Sequence, residues 1–394
     1  MLNLMIGLLT LLSVMLIVYH HLGYPLLLRL LGKRRYTDDQ TMEPALPDAA
    51  LPTITLIMPA YNEAAFIADK IRNLSILDYP RERLHVVIAS DGSTDHTYQV
   101  ALDTLREPEC RDLSARVICF ASNLGKVGVL NRLIDSVDSD IVALSDVSAI
   151  ISMDALRLAA ARFDDPETGV VNGRYRLLHP GSEGEKRYWE YQSRLKAAEA
   201  QLGSVIGAHG AFYLIRRHLY QPLPADTIND DFIIPMQIVG QGYRSVYEPD
   251  ICALELEQAS DAQDGHRRQR IAAGNLQQAI RLRQLLRPRF RGTAFTFASG
   301  KVLRVLMPFL MILALGGSLW LADGHVLFLL LAIGQSAVYL AWLVLEVLRT
   351  GDSIALLQTL KYLLRGHFNN LRGALRYLRD SLIRYHRQKM AGHH

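Results

Sequence analysis

Ile54-Thr55-Leu56-Ile57-Met58-Pro59-Ala60-Tyr61-Asn62-Glu63 is a short apolar run that ends in a proline, an aromatic residue and a polar turn. A run of this length closed by a turn signal reads as a buried strand. The same unit recurs downstream. Residues 85–90 run into Ser90-Asp91-Gly92-Ser93-Thr94-Asp95, residues 115–120 into Asn123-Leu124-Gly125-Lys126, and residues 141–145 into Asp146-Val147-Ser148. Helical patterns fall between them at 64–77, 95–105 and 127–137. Strand and helix in alternation predict an α/β fold, a parallel sheet with helices on both faces. Ligands of such sheets bind beyond the carboxyl ends of the strands, the edge shared by Tyr61, Asp91 and Asp146.

Beyond Pro166 the alternation fades. Residues 184–202 carry Tyr188, Trp189 and Tyr191 at helical spacing, and Gly203-Ser204-Val205-Ile206-Gly207-Ala208-His209-Gly210 is a glycine-rich loop. Residues 231–240 read as a helix and 243–247 as a strand. Residues 53–262 form one domain of ordinary size.

The 394-residue chain is 50% hydrophobic, and the apolar excess lies at its ends. Residues 2–31, 302–322 and 326–347 are each long enough to cross a ~30 Å hydrocarbon core at ~1.5 Å per residue. The alternative for each run is a buried core helix. The first is a poor cleaved signal peptide: no basic residue precedes it, it is too long, and no small-residue site closes it. Lys33, Arg34 and Arg35 follow it, and the loop at 323–325 has no Lys or Arg. Cytoplasmic loops carry the basic excess, so the N-terminus is expected outside and residue 33 onward inside. The expected layout is a membrane helix at 1–32, a linker at 33–52, the α/β domain at 53–262, juxtamembrane segments at 263–300, two membrane helices at 301–348 and a basic amphipathic tail at 349–394. The expectation is a multi-pass protein of the cell (inner) membrane with a cytosolic α/β domain.

The net charge of +4 is modest, but from Lys361 to Lys389 the tail carries Lys361, Arg365, Arg372, Arg376, Arg379, Arg384, Arg387 and Lys389 against only Asp380. Such a segment is drawn to an anionic bilayer surface at about 1 kcal/mol per basic group. Nucleic acid is the weaker reading, because no aromatic-basic platform accompanies the charge. Three cysteines are too few and too scattered for a disulfide framework or a zinc site, which fits a reducing compartment.

Each acidic loop has a functional and a bland reading. Tyr61 can stack on a base and Glu63 can accept a hydrogen bond, while Asn62 equally suits a helix N-cap. Asp91 can accept an N–H from a pyrimidine ring or simply complete a turn. Lys126 can meet a phosphate near a helix start or remain solvated. Asp146 offers a hard oxygen to Mg2+ or Mn2+. Asp138-Ser139-Asp140 is set aside because it precedes its strand and lies at the opposite edge. Asp230-Asp231 supplies a general base or an N-cap pair stabilised by the helix dipole. Arg267, Arg268 and Arg270 can fork onto phosphate oxygens or form a positive-inside cluster.

These motifs together resemble a membrane-bound family 2 glycosyltransferase of the GT-A fold, a Rossmann-like mixed sheet with helices on both faces, of the branch with hyaluronan, cellulose, chitin and poly-N-acetylglucosamine synthases. The resemblance covers about residues 53–280. It implies that Pro59, Tyr61, Glu63, Asp91 and Lys126 bind the nucleotide of a UDP-sugar, and that Asp146 binds the diphosphate and a divalent metal. Ser148 stands at the second acidic position of the metal loop. The acidic pair before a Gly-Tyr-Arg strand is matched by Asp230-Asp231. The eleven-residue spacing to Gly242 makes Asp231 the implied base. Arg267 and Arg270 match the diphosphate arginines, with Ile271 in place of a tryptophan, and Trp189 falls on the acceptor side.

The implied activity is inverting hexosyl transfer to a lipid-linked or glycan acceptor at the bilayer. It is either processive polysaccharide synthesis or addition of a single sugar. Three spans are few for a secretion channel, so export of a polymer calls for a homo-oligomer or an export partner. A catalytically inactive membrane scaffold is the third reading.

Overall fold

Eight strands form one mixed sheet in the order β3-β2-β1-β4-β7-β6-β8-β5. The computed structural model describes residues 1–32, 46–181, 183–257, 261–348 and 355–391. Most of the expected linker, with Lys33, Arg34 and Arg35, lies outside the described residues. The chain divides into two compact units, one of 31–259 and 284–294 and one of 1–30, 260–283 and 295–394.

In the first unit β1 (Ile54–Ala60), β2 (Leu84–Asp91), β3 (Ala115–Phe120) and β4 (Ile141–Ser145) are parallel. β1 and β4 are buried almost end to end, as expected for strands covered on both faces. The helices Ile67–Ser75, Thr97–Thr104 and Gly125–Ser136 fill the connections. Three residues after β4 the chain enters β5 (Ala149–Ile151), which pairs not with β4 but with β8 at the far edge. Asp146, Val147 and Ser148 make that crossing.

The second half of the sheet is β6 (Thr168–Leu177), β7 (Phe212–Arg216) and β8 (Arg244–Glu255). β7 runs antiparallel to both β4 and β6. The strand expected at 243–247 is thus longer, and β5, β6 and β7 join a sheet that the sequence pattern shows only as parallel. The helix Glu183–Leu202 precedes the glycine-rich loop, and the helix Asp230–Gly240 follows β7.

The other unit is helical. Leu2–Val18 continues through a π-helical turn at Tyr19–Gly23 into Tyr24–Gly32. Leu2–Leu31, Pro288–Leu321 and Val326–Val347 are long and apolar enough to cross a membrane. Tyr19 hydroxyl bonds Ser299 Oγ at 2.8 Å, and Asn275 Nδ2 donates to Asn370 Oδ1 at 3.2 Å. The basic tail forms the helix Ala355–Ala391.

Candidate active site

The first two strand-end loops are laced together. Asn62 adopts φ 57°, a left-handed conformation that asparagine tolerates better than most residues. Its Oδ1 accepts the Thr94 N–H at 2.8 Å, and its own N–H donates to Ser93 Oγ at 3.2 Å. Glu63 N–H donates to Thr97 Oγ1 at 2.8 Å and Ala64 N–H to Asp95 Oδ2 at 3.2 Å. Pro59 and Ala60 close β1 before this turn, and Tyr61 is left half exposed. Burial, reinforced by Glu257, Asp146, Glu255 and Asp95, pushes the Glu63 carboxyl up to about 7.

Asp91 is only 3% exposed. Its Oδ1 accepts the Leu124 N–H at 2.7 Å, and its carbonyl accepts from Asn123 Nδ2 at 3.1 Å. The carboxylate read as a ligand for a base therefore also holds the loop that leads to Lys126.

Lys126 joins the third and fourth loops to the acidic pair. Its Nζ lies 2.7 Å from Asp146 Oδ1 and 3.6 Å from Asp230 Oδ2. Burial lowers its proton affinity, but the Asp146, Asp230 and Asp231 carboxylates overcome this and hold it above the ordinary lysine range. Asp230 is buried, and its Oδ2 has no hydrogen-bond partner among the described residues. Asp230 thus serves Lys126, whereas Asp231 turns toward the glycine-rich loop.

Gly210 fixes that arrangement. A Cβ there would stand 3.0 Å from Asp146 Oδ2, 3.5 Å from Lys126 Nζ and 3.6 Å from Asp231 Oδ2. Any side chain at 210 would fill the space that these three groups share. The loop is anchored from both sides. Ala208 N–H donates to the Asp231 carbonyl at 2.9 Å, and Lys196 Nζ donates to the Gly207 carbonyl at 2.7 Å. Burial pushes the Lys196 ammonium below the usual lysine range, against the pull of Glu199 and Asp231.

Beside the loop stands an aromatic group. Tyr175 stacks on His209 at 3.6 Å between ring centroids, and Trp189 meets both edge-on at 4.5 and 5.2 Å. Arg267 and Arg270 lie on the helix Asp261–Arg281, which belongs to the helical unit. Arg270 is exposed, and the Arg267 side chain is outside the described residues.

Ser148 is buried, and its hydroxyl hydrogen-bonds Glu255. Among the described residues no group of three or more His, Cys, Asp or Glu side chains is arranged to hold a metal. Asp138-Ser139-Asp140 lies away from the site, where Asp140 Oδ2 accepts from Thr53 N–H and Oγ1 at 2.8 and 2.7 Å. Lys70 and Lys196 escaped the sequence reading, and His209 was read only as a member of the glycine-rich loop. Lys70 had a signal: it interrupts the apolar stripe Ile67, Ile71, Leu74 of an otherwise amphipathic helix.

Residues 55–223 match the profile of Glycosyl transferase family 2. That segment is similar to a family 2 glycosyltransferase domain. The chain is 28% identical over 204 residues to poly-β-1,6-N-acetyl-D-glucosamine synthase of Staphylococcus aureus strain COL, covering 50% of this chain and 48% of that protein. It is 24% identical over 204 residues to the Staphylococcus epidermidis synthase. The chain spans about half the length of the curated relatives it matches. A mannosyltransferase from Pyrobaculum calidifontis, solved with GDP-mannose and Mn2+, superposes with a TM-score of 0.71 at 23% identity, over 94% of this chain and 99% of that one. The fold is GT-A.

Proposed function

We propose that this glycosyltransferase moves a sugar from a nucleotide-sugar donor, a UDP-sugar, to a membrane-associated acceptor with inversion at the anomeric carbon. The observation that carries this is the convergence of Asp146 Oδ2, Lys126 Nζ and Asp231 Oδ2 within 3.6 Å of one point over Gly210. Direct displacement at an anomeric carbon needs a base and a diphosphate-binding group close enough to flank that one carbon.

Asp231 takes the proton from the acceptor hydroxyl, whose oxygen attacks the anomeric carbon. The bond to the diphosphate breaks on the opposite side, with the Lys126 ammonium facing the departing charge. A positioned base contributes typically 10²–10⁴-fold, and fixed charges aimed at a developing anion act without reorganising. Tyr61 offers its exposed face to the base, with Glu63 and Asp91 beside it on the neighbouring strand ends. Arg267 and Arg270 are proposed diphosphate ligands on sequence position alone.

Asp146 Oδ2 is a hard oxygen beside the shared space, which suits Mg2+ or Mn2+. Ser148 is committed to Glu255, so an ion here would draw most of its ligands from phosphate oxygens and water, the habit of Mg2+. Bound there, the ion neutralises charge on the diphosphate. The ligands of the Pyrobaculum mannosyltransferase are in keeping with this donor class and ion.

The three apolar helices support a multi-pass location with the catalytic domain on the cytosolic side, in polysaccharide or glycolipid biosynthesis. Single transfer is favoured over elongation by Ile271, which replaces the tryptophan of the elongating branch. The test is nucleoside-diphosphate release from a panel of sugar nucleotides by full-length protein in detergent, with membrane lipid extracts as acceptors. Turnover that survives Asp231→Asn sinks the base assignment, and silence with every donor favours the scaffold. Product length separates one added sugar from a polymer.

A further inference from the structure

Lys70 is completely buried in the helix Ile67–Ser75. Its Nζ donates to Ser145 Oγ at 2.7 Å and to the Ala149 carbonyl. Those two residues are the last of β4 and the first of β5. Between them lie only Asp146, Val147 and Ser148, the segment that leaves the centre of the sheet for its far edge. Ser145 Oγ passes the link on, donating to the Ala211 carbonyl at 2.8 Å, and Asp146 N–H donates to the same carbonyl at 3.3 Å. Ala211 follows Gly210. One ammonium therefore ties together both ends of the Asp146 segment and, through Ser145, the glycine-rich loop.

Burying a cation is costly unless it is fully hydrogen-bonded, and an apolar residue would satisfy the core stripe at this position without that cost. The helix already grips β5 by a neutral pair, Asn73 with Ile151, at 2.9 Å in each direction. Anchoring β5 therefore does not require a charge. What Lys70 Nζ adds is a single group that donates to both ends of the crossing, behind a segment bearing carboxylates. Burial pushes it down to about 7, while Asp146 and Glu255 act to raise it.

We propose that Lys70 is a positioning residue, whose buried ammonium clamps the β4–β5 crossing and so fixes the direction in which Asp146 meets the donor's diphosphate. This rests on the proposed diphosphate site at Asp146. It assigns Lys70 no contact with substrate. Its mark is selectivity for the second phosphate: loosening the crossing weakens recognition of the diphosphate and leaves the base-binding loops unaltered.

The test measures binding of UDP, UMP, GDP and GMP to full-length protein in detergent with Mn2+ present, by titration calorimetry, for wild type, Lys70→Met and Ser145→Ala. In wild type the diphosphate of the preferred base binds more tightly than its monophosphate. That ratio is expected to fall about tenfold in Lys70→Met, the size of one hydrogen bond to a charged group, with monophosphate affinity unchanged. Ser145→Ala, which leaves the helix intact, is expected to lose part of the ratio and covers the case in which Lys70→Met does not fold. A ratio kept in Ser145→Ala, and in Lys70→Met when that variant folds, overturns the inference and leaves the donor site standing, whatever happens to the melting temperature. A wild type that does not distinguish diphosphate from monophosphate overturns the diphosphate site itself, and the role of Lys70 with it.

Discussion

Lys126 Nζ and Asp146 Oδ1 stand 2.7 Å apart, with each side chain 36% exposed. An ion pair at this partial exposure contributes about 0–1 kcal/mol to stability. Its weight lies in the site, where a fixed ammonium faces the expected leaving group. Lys126→Met is expected to lower turnover by about 10²–10³-fold, the range for removing one preorganised group at a developing anion. The melting temperature should change little. Steady-state kinetics beside a thermal melt check this, and a large melting shift with intact turnover would make the pair structural.

The two neighbouring carboxylates should separate cleanly. Asp231→Asn is expected to cut turnover by about 10²–10⁴-fold while donor affinity holds, because its Oδ2 faces the shared space over Gly210. Asp230→Asn removes a counter-charge of Lys126, so its effect should fall on donor KM. Equal losses in turnover from both variants would remove the distinction.

Two glycines of one loop should fail for different reasons. Gly207 has φ +74° and lies against the Phe232 ring, so Gly207→Ala is expected to destabilise the protein by about 1–3 kcal/mol. Gly210 has no such backbone restriction; its alanine methyl would stand 3.0 Å from Asp146 Oδ2. Gly210→Ala should fold normally and lose most of its activity. Circular dichroism melts and donor turnover on the same samples distinguish the two.

The Glu63 carboxyl, pushed up to about 7 chiefly by burial, gives donor binding a pH dependence. It is protonated below about 7 and ionised above. If the carboxylate accepts a hydrogen bond from the nucleoside, affinity rises as pH passes upward through about 7, and Glu63→Gln is flat. The sign for folding is opposite. The unfolded chain gives up this proton near the ordinary glutamate value and the folded chain near 7, so the group's contribution to stability falls as pH rises across that interval. Nucleoside binding and chemical denaturation at pH 5.5, 7 and 8.5 test both signs.

Trp189 stands edge-on to Tyr175 and His209, the neighbour of Gly210 in the glycine-rich loop. Trp189→Ala is expected to raise acceptor KM about 3–10-fold, the scale of an aromatic contact, with donor KM unchanged. A rise in donor KM instead would move the tryptophan to the other substrate.

The first half of the sheet was legible because β1, β2 and β4 are largely buried and read as mostly apolar runs, and because β3, though partly exposed, is a short run closed by a turn signal. Residues 115–120 and 141–145 match β3 and β4 at both ends. The second half was not. β5 is three residues long, below the length at which alternation shows. β8 contains Glu248-Pro249-Asp250, which a strand reading rejects. In the structure these residues fall where the β6–β8 register shifts between Asn172 and Arg174, a bulge that accommodates proline. The donor-side residues were legible because they follow strands directly. Lys70 and His209 were not, since they act through contacts between residues distant in sequence. Only the tertiary fold brings Lys70 to Ser145 and Ala149, or His209 to Tyr175.

The lacing of the first two loops has a thermodynamic consequence. Asn62, Ser93, Thr94, Asp95 and Thr97 hold one another by short side-chain bonds before any ligand arrives. A pocket assembled in advance spends none of its binding energy on ordering chain. Nucleoside capture should then be fast, with a heat-capacity change limited to the surface that the base itself covers. One severed stitch, such as Asn62→Ala, would turn a rigid socket into one that must fold around its guest.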